Sequence, residues 1–152
     1  MIHSAWFTRR KRMNAQQIEI VQRTFDLAVP MADEIADRFY QRLFELDPSL
    51  RPLFRGEIKA QGAKLMTVLA LAVRGLDRPE TILGPVQRLG ERHVHYGVQP
   101  HHYATVGESL LWTLGQLFGP AFTPEVRAAW AAAFGLLAGV MQAGETGARL
   151  EV

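Results

Sequence analysis

Along most of the chain apolar residues recur at steps of three and four, and no stretch holds the strict alternation of a strand between hairpin turns. That pattern predicts an all-α domain. Pro30, Pro48, Pro79, Pro100 and Pro124 each stand just where a helical pattern begins, the position at which a missing N–H costs least. The helices so marked run over about 14–28, 30–46, 48–53, 57–76, 79–96, 100–118 and 124–143. Asn14 with Gln17 three residues on forms a capping box, Thr123 caps the last helix, and Gly97 and Gly119 stop the helices before them. Trp130, Ala133, Phe134, Leu137 and Met141 mark the buried face of the last helix. There are no internal repeats and no low-complexity interior.

One polar ring interrupts an apolar stripe. Ile82, Val86, Leu89 and Tyr96 share a helix face, and His93 completes the series, so its imidazole points inward. A buried imidazole needs a partner; a backbone carbonyl is one choice, and a metal is the other, since neutral imidazole is the commonest metal ligand. Gln61 likewise shares a stripe with Leu65, Val68, Ala72 and Leu76 and faces inward. Beside it, Gly62 costs about 1 kcal/mol in a helix interior, which close crossing by a neighbouring helix would offset.

The 152 residues suffice for one domain with a substantial core. With no cysteine, disulfides, zinc–thiolate sites, iron–sulfur clusters and thiol catalysis are excluded. No apolar run is read as reaching the ~18 residues of a membrane span, and no secretory signal pattern stands at the N-terminus, so a cytoplasmic location is expected. Arg9, Arg10, Lys11 and Arg12 supply four of the 17 basic residues with no acid among residues 1–12; the remainder carries 13 basic against 15 acidic residues. The domain proper, residues 13–152, is therefore not a nucleic-acid binder by charge. Residues 1–12 read as a dispensable basic tail, or as residues upstream of a start at Met13, with Trp6 and Phe7 able to pack or touch a membrane.

Four stretches, taken in order, carry a family resemblance: Arg38-Phe-Tyr40-Gln-Arg-Leu-Phe44, Pro48-Ser-Leu-Arg-Pro-Leu-Phe54, Gln61-Gly-Ala-Lys64-Leu65-Met-Thr-Val-Leu69, and Leu89-Gly-Glu-Arg-His93 running on to His102-Tyr103-Ala-Thr-Val-Gly107-Glu-Ser-Leu-Leu111. Over residues 13–145 the chain resembles a globin, and is most similar to bacterial single-domain globins related to flavohaemoglobin globin domains and to neuroglobin. The resemblance implies a three-over-three helical sandwich around haem b, with His93 as the ligand to iron and Phe54 flat against the porphyrin. It adds Tyr40 as a tyrosine reaching into the ligand pocket.

Haem is an apolar disc with a charged edge, so it needs apolar walls, one axial base, and cations or water at its rim. Phe39, Leu43, Phe44, Leu65, Val68, Leu69, Val86, Leu89, Val106 and Leu110 are the candidate walls, and most are core in any reading. Lys64, Arg92 and Tyr96 are candidates for the rim, with a solvated role as the alternative. Glutamine at position 61, where many globins place histidine, implies a pentacoordinate iron open to ligands, with Lys64 or Tyr40 as alternative ferric ligands.

A bound dioxygen carries partial negative charge, so hydrogen bonds from Tyr40 and Gln61 would hold it more than they hold CO, by about 1.5–3 kcal/mol each. Slow O2 release follows; a core tyrosine bonded to a carbonyl is the alternative. On the other side of the haem, the resemblance makes Tyr103 and Glu145 a relay that polarises His93, unless Gly144 ends the helix and leaves Glu145 in solvent. The other histidines are weaker: His93-x-His95 and His101-His102 have no suitably placed carboxylate and read as surface residues. The function expected is reversible binding of O2, and of CO and NO, by a monomer or weak homodimer. The enzymatic alternative is a nitric oxide dioxygenase served by a separate reductase, because no flavin or nicotinamide domain lies within the 152 residues. A sensor lacking its output domain and a haem-free helical scaffold complete the readings.

Overall fold

The computed structural model describes residues 13–54, 56–95 and 98–151, without the side chains of 94, 95 and 145–151. Six α-helices account for most of them: α1 Ala15–Ala28, α2 Ala32–Leu46, α3 Ile58–Arg74, α4 Leu83–His95, α5 His102–Phe118 and α6 Pro124–Glu151. Four 3-10 turns, at Val29–Met31, Pro48–Leu53, Pro79–Thr81 and Gly119–Ala121, each carry proline at their first or second position. Thus the predicted segments 30–46 and 79–96 each divide into a proline-led tight turn and a helix proper.

The predicted punctuation is present. Asn14 Oδ1 accepts from the Gln17 N–H at 2.7 Å and Gln17 Oε1 from the Asn14 N–H at 3.2 Å, closing the capping box. Thr123 Oγ1 accepts from the Val126 N–H at 3.3 Å, and α5 stops at Gly119, whose φ is +56°. The predicted tail 1–12 and the predicted stop at Gly97 lie outside the described residues.

α1 packs on α6, α2 on both α5 and α3, and α6 also on α4 and α5. Val21, Ile35, Leu43, Leu114 and Trp130 fill the centre. Most polar groups buried with them are bonded, as a dry interior favours, whereas the Thr113 hydroxyl, equally buried on α5, has no hydrogen-bond partner among the described residues. The Trp130 indole N–H donates to Thr24 Oγ1 at 2.9 Å, and that hydroxyl donates to the Ile20 carbonyl at 2.7 Å. Ser109 Oγ donates to the Phe39 carbonyl at 2.8 Å and pins α5 to α2.

Two close crossings depend on glycine. A Cβ at Gly62 would stand 2.8 Å from Ala36 Cβ, so the predicted close passage of α3 over α2 is present. α4 and α6 meet more tightly: a Cβ at Gly90 would strike the Met141 carbonyl, and one at Gly144 the Gln87 carbonyl. Gly144 is therefore a packing residue and not a stop, and α6 continues eight residues past its predicted end at 143, to Glu151.

The buried face of α6 also differs from prediction. Val126, Ala129, Trp130, Ala133, Leu136 and Val140 are buried, whereas Phe134, Leu137 and Met141 are half-buried. By length and composition the 21 residues Pro124–Gly144 would suffice to cross a membrane, which corrects the expectation that no segment is long and apolar enough. The buried face of this helix is part of the domain core.

Candidate functional site

The sequence-predicted residues fall into two groups on helices with different neighbours. α3, carrying Gln61, packs on α1 and α2; α4, carrying His93, packs on α6, and the two helices make no extensive contact with each other.

Tyr40 anchors the first group. Its ring is buried on α2, edge-on to Phe54 at 5.3 Å and stacked with Phe44 at 6.0 Å, and Phe54 is itself edge-on to Phe44 at 5.5 Å. The phenol donates to the backbone carbonyl of Gln61 at 3.3 Å, so the hydroxyl makes the carbonyl bond that a plain core tyrosine would make. This bond is longer than a good O–H···O contact, and rotation about the phenol C–O bond redirects the proton without moving the ring. Burial pushes the Tyr40 pKa up to about 12, which keeps the group a neutral donor at neutral pH. Gln61, Leu65, Val68 and Leu69 are half-buried along α3, and Lys64 is exposed.

The second group surrounds His93. The N-terminal part of its stripe, Ile82 and Val86, is buried, but Leu89 and His93 itself are half-buried and less enclosed than the pattern predicts. The imidazole lies edge-on to Tyr103 of α5, ring centroids 6.5 Å apart. Gly90 lets α4 sit against α6 one turn before His93, and the Val98 N–H closes the helix end on the His93 carbonyl at 3.1 Å. Val86 lies with Ile82, Leu83, Leu136 and Val140 in the seam between α4 and α6, and Leu110 is likewise core, as are Phe39 and Leu43; Val106 is half-buried. Arg92 is exposed. Tyr96 and the side chains of His95 and Glu145 lie outside the described residues, although the backbone of α6 is helical through Glu145.

These residues fit a haem. The half-buried imidazole of His93 could ligate its iron, and Phe54, Leu65, Val68, Leu69, Leu89, Val106, Leu137 and Met141 are apolar side chains that the core covers only in part and that could wall it. An open groove of about 630 Å³ lies elsewhere, lined by Phe25, Val29, Met66, Leu71 and Ile82 among others, and shares no residue with this set.

The comparisons with known proteins agree. The Globin family model matches residues 37–141, and the chain belongs to that family. Among curated proteins it is 31% identical over 131 residues to a flavohemoprotein of Rhodopirellula baltica and 30% identical over 129 residues to one of Bacillus subtilis, covering 84% and 83% of this chain. The chain spans about a third of those relatives, 32% of each. Among solved structures it is similar to an engineered carbene transferase made from a Rhodothermus marinus protein assigned as a nitric oxide dioxygenase, at TM-score 0.83 and 26% identity, covering 91% of this chain and 97% of that one. A bacterial globin from Campylobacter jejuni shares the fold at TM-score 0.80 and 24% identity, covering 88% and 97%. Membership implies a haem-type iron cofactor.

Two features escaped the sequence reading. The glycine-to-carbonyl crossings at Gly90 and Gly144 fix how closely α4 approaches α6, and a glycine inside a helical pattern was their only signal. The second concerns His101 and His102, expected at the surface without a carboxylate. His102 is only 8% exposed, and Asp47, from the end of α2, lies beside both histidines. That carboxylate is more than fifty positions away in sequence, so no local spacing announces it.

Proposed function

We propose that this chain holds one haem b through His93 and binds O2 at an iron left open on the side of Tyr40 and Gln61. What supports the reading is a half-buried imidazole on α4, together with a buried phenol and a half-buried amide that meet between α2 and α3. Bound haem would supply a ferrous centre for O2, CO or NO. The apolar walls exclude water, and the Tyr40 hydroxyl, turned from the Gln61 carbonyl, donates to a negatively polarised ligand. The Gln61 amide adds a second donor. Glutamine is a poorer metal ligand than histidine, so Gln61 would not compete with a gas for the iron. Tyr103, beside His93, orients the imidazole, and Glu145 is the proposed carboxylate of that relay.

A second reading is favoured by the relatives called flavohemoproteins and by the neighbour assigned as a nitric oxide dioxygenase. In it NO, O2 and one electron give nitrate, with the electron delivered by a reductase. Both readings want the same donors.

His93→Ala should abolish or scramble haem retention in the Soret spectrum, whereas His95→Ala should leave it intact; an unchanged spectrum and unchanged ligand kinetics in the His93 variant would refute the ligand. Tyr40→Phe should speed O2 release by about 10- to 150-fold while changing CO release less. Equal changes in both rates would mean that the tyrosine acts by shape. Rapid NO consumption by the oxygenated protein, with prompt re-reduction by a cellular reductase, would select the dioxygenase.

A further inference from the structure

A second ligand cluster stands at the corner where the end of α2 meets the start of α5. Asp47, His101 and His102 each offer one ligand atom there, and the three atoms lie within 4.8 Å of one another. The two imidazoles are 4.3 Å apart at their centroids, tilted by 56°. The carboxylate is held in place: Asp47 Oδ1 accepts from the Ser49 N–H at 3.0 Å and from Ser49 Oγ at 2.6 Å. An outer hydrogen bond that orients a ligating carboxylate is a usual companion of metal sites.

We propose that Asp47, His101 and His102 bind a divalent transition-metal ion, zinc by preference, at a site separate from the haem crevice. Two imidazoles and one carboxylate form the donor set that zinc accepts in three-ligand sites, with water completing the tetrahedron. Imidazole donors disfavour calcium and magnesium, which take oxygen. With metal–ligand bonds of ~2.0–2.1 Å, neighbouring ligand atoms stand ~3.3 Å apart. The cluster therefore has to contract by no more than about 1.5 Å, which rotation of the exposed His101 can provide while Ser49 holds the carboxylate.

His102 is the costly ligand. Its Nδ1 accepts from the Gln99 N–H at 2.9 Å. Metal at Nδ1 displaces that donor, and metal at Nε2 forces the ring proton onto Nδ1, so either mode gives up the bond. The ion ties the end of α2 to the start of α5, and its affinity is moderate because one hydrogen bond is exchanged for it.

Zinc titrated by calorimetry into the CO-bound ferrous holoprotein, with iron already occupied, tests the site. One zinc per chain should bind, and His101→Ala and Asp47→Asn should each weaken it by at least about tenfold, since even loss of an outer partner of a ligand costs about 10- to 100-fold. His101 is exposed, so its variant folds normally; His3→Ala should change nothing. Absence of stoichiometric binding, or binding untouched by His101→Ala, overturns the site.

Discussion

Trp130 and His93 sit in regions that the same apolar periodicity predicts and that the fold completes to different degrees. Around Trp130 the chain finishes the work itself: the indole is 2% exposed, its N–H is bonded to Thr24, and Val21, Phe25 and Ala129 are buried around the same seam. Around His93, Gln61 and Leu65 the pattern is as strong, but the side chains remain half-buried because α3 and α4 pack on different partners. An apolar stripe left half-covered by its own fold is a stripe that expects another occupant. The first region belongs to stability; the second is the one that the proposed haem would fill.

The comparison breaks first at Trp130. Trp130→Ala removes a buried indole and the N–H that Thr24 Oγ1 accepts, while that hydroxyl keeps its own bond to the Ile20 carbonyl, so the change should cost ~3–5 kcal/mol in urea denaturation, with or without haem. Leu69→Ala, at a half-buried position on α3, should cost far less in the haem-free protein and more once haem is bound. If Leu69→Ala costs the same in both forms, α3 does not wall the haem.

A smaller effect is expected where the two regions join. At Gly90 an added methyl meets the Met141 backbone carbonyl, which cannot swing aside, and Gly90→Ala should cost ~1–3 kcal/mol and weaken haem retention by shifting His93 one turn on. At Gly84 the nearest atom is the flexible Arg88 guanidinium at 3.3 Å, so Gly84→Ala should be neutral or stabilising by up to about 1 kcal/mol. Equal stabilities for the two variants would remove the backbone contact between α4 and α6 from the account.

Asn14→Ala tests the other direction. Loss of the cap at α1 should cost ~1 kcal/mol, while the Soret band and ligand rates stay as they were. A change at the haem would show that the two regions are coupled more closely than their packing implies.

The same contrast governs what was legible in the sequence. The helices were readable because periodicity, proline starts and caps are local: Asn14 with Gln17, Thr123 with Val126. Gly62 was readable because a glycine in an apolar stripe demands a close neighbour, and Ala36 is that neighbour. The family motif drew attention to His93, Tyr40 and Gln61, and periodicity alone gave only inward faces. Three things were not legible. Gly144 looked like a helix end, because a glycine near the end of an apolar pattern serves equally as stop or as contact until the partner helix is known. The half-burial of His93 depends on α3 and α4 standing apart, a tertiary fact. Asp47 meets His101 and His102 only through the fold.

The smallest loss of stability at neutral pH is expected at Tyr40, the residue that belongs to both regions: it is 5% exposed, and its hydroxyl meets the Gln61 carbonyl on α3. Its bond to the Gln61 carbonyl is 3.3 Å long, so Tyr40→Phe should cost less than about 1 kcal/mol at pH 7. At alkaline pH the sign reverses. The folded phenol is pushed from 10.0 to about 12 by burial, so between those values the unfolded chain loses its proton while the native chain keeps it. Native stability from this group is fully present below pH 10 and falls as pH rises toward 12, by at most ~3 kcal/mol at 1.36 kcal/mol per unit. The phenylalanine variant lacks that loss and should become the more stable protein at the alkaline end, with the two denaturation midpoints crossing above pH 10. Midpoints that run parallel from pH 7 to 12 would show a phenol already open to solvent, and a solvent-exposed Tyr40 could not be the dry, neutral donor that the oxygen-binding reading requires.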